Sequence, residues 1–310
     1  GASLSMLERA CELARTASHQ WCLAEATQNV GWSLIQVGRY DDARSALDAS
    51  FEIARPNGWR ELESWHWLMV GHAIYPTGEL EEARTVWERG LRGASDVQEG
   101  FAMWALGLLD VDAGAPAEAY ERLSRARGRM IVAGAGMGVQ FVDSGIGLAR
   151  AALGDLDDAR EILGAAAEEH SRAFVWAEAI TRIDLAHVER LLGDPESARA
   201  SAERVLRIAE HLGHSGLASR GRLHLAAAAV TGGDWNEAEH LTHRALGDQL
   251  ESGDRIDLPE SLELLAEVAV GLESLQEAGR LLAAAGRARA DLGRARWVSD
   301  ERRVEDLRLH

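Results

Sequence analysis

Four short arrays in this 310-residue chain carry residue types that do chemistry elsewhere. His211-x-x-His214 and His240-x-x-His243 each set two imidazoles about one helical turn apart, a spacing used by metal-binding pairs. Neither pair has a fixed third ligand, so both read as surface histidines on acidic helices, and no metal or cofactor is expected. Gly134-Ala-Gly-Met-Gly138 has the glycines of a phosphate cradle, but a cradle follows a strand and this array follows a helix. It reads as a flexible loop ahead of another helix. Gly213-His-Ser-Gly216 lacks the spacing of a nucleophile elbow. All 33 basic residues are arginine, which removes phosphate-loop and Schiff-base lysines from consideration. The many Asp/Glu pairs read as solvated faces and helix starts. No catalytic residue is assigned, and the chain is expected to bind rather than to catalyse.

Rings supply the stronger signal. Aromatic residues make up only 5% of the chain, yet many fall on one stripe with 4-3-4-3 spacing, which keeps them on a single helical face. In chain order the stripe holds Trp21, Gln28, Trp32 and Ile35, then Trp65, Leu68, His72 and Tyr75. Val97, Phe101, Trp104, Leu108 and Val111 continue it. Met137, Phe141 and Leu148 follow, then Trp176, Ile180, Ile183 and His187. Beyond these it turns polar, with Arg220, Glu260, Glu263 and Glu267. Contiguous apolar surface of this kind marks a binding site when it is exposed, and rings with a few polar groups among them are the usual make-up of a small-molecule pocket. Asp112, Asp143 and Asp184 join Gln28, His72 and His187 as those polar groups. The competing reading is that the stripe is covered by its own chain or by a partner copy, or fills a tight superhelix. Trp67, Trp87 and Trp235 fall on packing offsets instead and are expected in the core.

These side chains need helices beneath them, and a repeat supplies them. A glycine followed five residues later by alanine recurs at Gly38/Ala43, Gly78/Ala83, Gly114/Ala119, Gly154/Ala159, Gly193/Ala198 and Gly233/Ala238. A seventh copy, Leu275-Gln-Glu-Ala278, lacks the glycine. A period near 40 residues is the mark of a stacked array. Glycine closes a helix in the left-handed conformation, and the acids after it suit the first turn of the next helix. Seven residues before each turn stands a second small residue (Gly31, Gly71, Gly107, Gly147, Ala186, Ala226 and Ala266), which lets two helices cross closely. Each unit is therefore a helix A, a tight turn and an antiparallel helix B.

This pattern resembles the tetratricopeptide repeat over roughly residues 15 to 290. Tyr40 and Trp235 match the aromatic of its turn, and Leu80, Leu156, Pro116 and Pro195 replace it elsewhere. The units are longer than the typical 34 residues and look like the variant in the sensor region of bacterial LuxR-type, MalT-like regulators. The segment from Ala278 to Gly293 is similar to the one preceding the DNA-binding domain in many actinobacterial members, and the absence of lysine fits a GC-rich genome. The resemblance implies an all-α, right-handed superhelical solenoid of about seven repeats whose stripe lines a concave face. It also implies a large ATPase and a DNA-binding domain in the parent protein, flanking this segment. The ligand-binding set is then Trp21, Trp32, Trp65, Leu68, His72, Tyr75, Phe101, Trp104, Leu108, Phe141, Trp176, Ile180, Ile183 and His187. Its occupant would be an apolar or aromatic small molecule, or alternatively a peptide or partner helix.

Composition sets further bounds. Fifty acidic residues against 33 basic ones give a formal charge of −17, which argues against gripping nucleic-acid phosphates. Cys11 and Cys22 are too few for a disulfide framework or zinc site and read as reduced, cytoplasmic thiols. Apolar runs such as Leu225 to Val230 fall short of a membrane span. One solenoid domain is expected over residues 1–310. Within it, 1–3 read as a cloning remnant and 4–23 as an N-terminal helix and the start of the first repeat. Residues 291–310 read as a C-terminal capping or linker helix, still with helix-like spacing at Leu309 and His310.

Overall fold

A computed structural model describes residues 2–308 of the chain, so Gly1, Leu309 and His310 lie outside the described residues, as do the side chains of Ala2 and Ser3. The described residues form sixteen α-helices and two short 3-10 turns, with no strand among them. Helix α1 (Ala2–Thr16) leads into seven antiparallel hairpins. These are α2/α3 (Gln20–Ile35, Tyr40–Ala54), α4/α5 (Arg60–Ile74, Leu80–Gly90) and α6/α7 (Asp96–Asp112, Pro116–Val132). Next come α8/α9 (Gly136–Leu153, Leu156–Ala173) and α10/α11 (Val175–Leu191, Pro195–Leu212). Last are α12/α13 (Ser215–Thr231, Trp235–Ser252) and α14/α15 (Leu258–Gly271, Leu275–Leu292), and α16 (Val298–Arg308) ends the series. The expected all-α solenoid of paired helices is present.

The local rules that predict the hairpins operate as expected. All six turn glycines have positive φ, from 67° upward along with those of the B-to-A turns. At the crossing of α4 and α5, a Cβ on Gly71 would lie 2.1 Å from Nε1 of Trp87. Trp87 is fully buried there and donates that N–H to the Leu68 carbonyl at 3.0 Å. Leu47, Leu123 and Leu163 fill the same offset against Gly31, Gly107 and Gly147. Two details differ from expectation. Gly136 and Gly138 belong to the first turn of α8 rather than to a loop, and Gly138 is kept small by the Met130 sulfur, 2.6 Å from its would-be Cβ. Trp67 is only half-buried, lying against Phe51 with the Arg89 guanidinium over its ring, and Trp235 is half-buried beside Gly271.

The array also returns upon itself. The turns of the first three hairpins each meet a late segment of the chain. His214 lies against Gly38, Leu292 against Gly78, and Ala295 against Gly114. Backbone bonds seal two of these contacts. The Arg255 and Ile256 amides donate to the Pro76 carbonyl at 2.8 and 3.2 Å, and the Ala295 amide donates to the Asp112 carbonyl at 2.7 Å. Residues 253–257 and 293–297 therefore bridge the concave side. Helix α16 follows, anchored by fully buried Val304 against Ala266 and Leu282.

Candidate functional site

Along the first five hairpins the ring stripe packs largely on itself. Trp32 of α2 reaches Trp176 of α10 at 5.6 Å and His72 of α4 at 5.7 Å between ring centres. His72 touches Trp87 and Trp104, and Trp104 meets Phe141 edge-on at 5.1 Å. Phe101 joins Trp65 to Phe141, and Phe174, outside the stripe, closes the set against Trp32, Phe141 and Trp176. Edge-to-face contacts of this kind favour such clusters. Trp104, Phe141 and Trp176 are all under a tenth exposed.

Two adjoining chambers remain between this cluster and the late hairpins. The ring-walled chamber, with ≈ 100 Å³ open to the centre of a water, is bordered by His72, Tyr75, Trp104, Leu108, Trp176 and Ile180 from the predicted set. Tyr40, His214, Asp254 and Ile256 complete it from elements the stripe does not include. The charged chamber, with ≈ 140 Å³, has Ile183 and His187 of the predicted set, and Tyr75 again. Tyr75, Leu148, Asp184 and Arg220 border both chambers. Trp21, Trp32, Trp65, Leu68, Phe101 and Phe141 border neither. Trp21 lies edge-on to Trp59 at 4.9 Å in the first hairpins. Two of the predicted polar groups also turn elsewhere. Gln28 donates to the Leu62 carbonyl, and Asp143 accepts from Arg127.

The charged chamber is a lattice of ion pairs. The Tyr75 hydroxyl donates to Asp112 at 2.6 Å, and Arg294 Nε donates to the other oxygen of that carboxylate at 2.9 Å. Arg294 also pairs with Asp257 at 3.3 Å and Glu260 at 3.0 Å, while Arg220 pairs with Asp257 at 2.8 Å. Fully buried Glu263 takes Arg289 and Arg296, both at 2.7 Å. Asp300 of α16 accepts from His187 at 3.1 Å and Arg190 at 3.2 Å, and Arg303 pairs with Glu267. Burial alone would raise the Asp300 pKa, but His187, Arg190 and Arg303 override it and hold the carboxyl well below the usual range.

The ring-walled chamber has the opposite electrostatics. Burial pushes Asp184 up to about 7, with Arg220 only partly opposing it. Burial and the neighbouring Asp257 push Asp254 to about 7 as well. Burial also holds His72 and His214 neutral, each lowered to about 4, and lowers His224 of the charged chamber to about 3. No group of three metal-ligating side chains occurs among the described residues, and none of their helices is long and apolar enough to cross a membrane.

Reading the stripe alone misses the groups that close the site: Asp254, Arg294, Arg296, Trp297, Asp300 and Arg303. The one local signal is the density of arginine and acid around Trp297 immediately after the last repeat, and it carries no address.

The tetratricopeptide repeat family profile matches residues 141–211. No curated protein matches the sequence. Among solved structures, the apo form of RapI is similar with a TM-score of 0.57 at 13% identity, covering 93% of this chain and 98% of that one. A Rap protein complexed with competence and sporulation factor gives 0.58 at 14% identity, covering 92% and 97%. NprR in complex with its cognate peptide NprX gives 0.60 at 15% identity, covering 84% and 77%. At these identities the likeness is one of fold.

Proposed function

We propose that this chain is a ligand-sensing regulatory repeat domain of a LuxR-type transcription regulator, with the ring-walled chamber as its small-molecule site. One observation carries the choice of ligand size. Residues 253–257 and 293–297 cross the concave side, and a site with walls on several sides suits a small molecule, whereas a peptide needs an open trough. The response is a population shift. Each repeat touches mainly its neighbours, so small rotations add along the array, and a ligand that prefers one curvature changes how firmly 293–308 seats. In the parent protein that bias passes to the flanking ATPase and DNA-binding domains. Catalysis has no part in this reading.

The test is tryptophan fluorescence and thermal denaturation against a metabolite panel, repeated on Leu148→Trp, which fills space at the border of both chambers. Binding by the native chain that disappears in Leu148→Trp supports the reading. A second reading, capture of a peptide, is favoured by the similar Rap and NprR structures, which were determined with competence and sporulation factor and with NprX. If no small molecule binds while a peptide does, that reading replaces the first.

A further inference from the structure

The ring-walled chamber holds more acidic groups than its own cations compensate. Its walls hold two carboxylates, Asp184 and Asp254, and one guanidinium, Arg220. Arg220 is already paired at 2.8 Å with Asp257, which borders the other chamber. Asp184, half-buried, makes no hydrogen bond or ion pair among the described residues. Asp254 is 7% exposed, and its Oδ1 has no hydrogen-bond partner. The wall histidines supply no positive charge, since burial keeps His72 and His214 neutral. The other groups that act on the two acids are Asp112 and Asp257, which add negative charge, and Arg294, already paired with both of those. A buried carboxylate without a partner is costly, and a cation brought from outside relieves that cost.

The apolar walls point the same way. His72, Tyr75, Trp87, Trp104 and Trp176 line the chamber, and ring faces attract organic cations through their quadrupoles. Trp104 is 4% exposed, with the Nε1 edge of its ring against Gly145 of α8. An anion would meet both free acids, and a neutral molecule would leave them uncompensated.

We infer that the ring-walled chamber binds a small organic cation, an ammonium group on a compact apolar body, with Asp184 and Asp254 holding the ammonium and Trp104 and Trp176 flanking the body. This rests on the chamber being a ligand site and adds the charge of the ligand.

The probes are 2-phenylethylammonium, its neutral isostere 2-phenylethanol and the anion 3-phenylpropanoate, titrated calorimetrically near neutral pH into the native chain, Asp184→Asn, Asp254→Asn and Leu148→Trp. The ammonium should bind at least about tenfold more tightly than the alcohol, and each Asn variant should lose about that factor for the ammonium alone. Asn keeps the size of Asp, and unchanged circular dichroism with retained alcohol binding would show that the site still folds. Equal affinity for the alcohol or the anion, unchanged ammonium affinity in both Asn variants, or no ammonium binding overturns the inference. Alcohol binding that Leu148→Trp abolishes would then leave the sensing role standing without the cation. Failure of every probe removes the cation and leaves the sensing role to the metabolite panel.

Discussion

Arg294 donates to Asp112 at 2.9 Å although 182 residues separate them in the chain. The same guanidinium reaches Asp257 and Glu260, so one side chain ties the third hairpin, the seventh hairpin and the closing segment together. The Ala295 amide, next in sequence, bonds the Asp112 carbonyl. The tie forms part of the wall of the charged chamber.

Arg294→Ala should break that tie. It leaves Asp112 with no cation and Asp257 and Glu260 with only Arg220 and Arg289, and removing one member of a buried ion-pair network costs about 3–5 kcal/mol. Urea denaturation would show the loss. Hydrogen exchange should locate it, with the Ala295 amide losing protection before the amides of α8 or α10. Equal protection in the variant would mean that the closing segment is held by α16 alone.

Glu273 stands where the seventh repeat lacks its turn glycine, and it adopts φ = 60°. A side chain in the left-handed region costs roughly 1–2 kcal/mol, and glycine would relieve it at some expense in unfolded-chain entropy. Glu273→Gly should stabilise the chain by about 1 kcal/mol, read as a higher urea midpoint with an unchanged slope.

Gly71→Ala tests the tightest crossing. The added carbon would fall 2.1 Å from Trp87 Nε1, and Trp87 has no room to retreat because it is fully buried and tied to the Leu68 carbonyl. Overpacking of this kind costs about 1–3 kcal/mol. The double variant Gly71→Ala, Trp87→Leu reproduces the alanine–leucine pairing of Ala266 with Leu282 and should recover part of the loss.

These cases show which features the sequence makes visible. Turn glycines, small crossing residues and the ring stripe are set by contacts within one or two hairpins, so their spacing reveals them. Even Glu273 sits where the period places a glycine. The collapse of Trp32 onto Trp176 is not visible in the same way, because the approach of hairpin one to hairpin five depends on the sum of many small rotations between neighbours. The Arg294–Asp112 tie is less visible still, since nothing near either residue specifies the other. The site is therefore half legible: its rings follow the period, while its unpaired acids and its closing segment depend on long-range geometry.

The last prediction concerns pH. Between about pH 7 and 4 the native chain takes up protons at Asp184 and Asp254, each raised to about 7, while in the unfolded chain these acids stay ionised down to the ordinary range. Acidification through that window therefore stabilises the fold through these two groups. His72, His214 and His224 act in the opposite sense. Their pKa values are lowered to about 4, 4 and 3, so below about pH 6.5 the unfolded chain takes up protons that the native chain refuses, and stability falls. His66 and His170, also lowered by burial, add to the histidine side. The double variant Asp184→Asn, Asp254→Asn removes the acid counterweight only. It should be more stable than the native chain at about pH 8, where both acids are ionised and unpaired, and no more stable at about pH 4, where they are protonated in the native state. Between these limits its stability should fall more steeply on acidification, by up to about two protons. Denaturant midpoints measured across that range for both proteins would check it, and parallel curves would mean that the two acids have partners in solution.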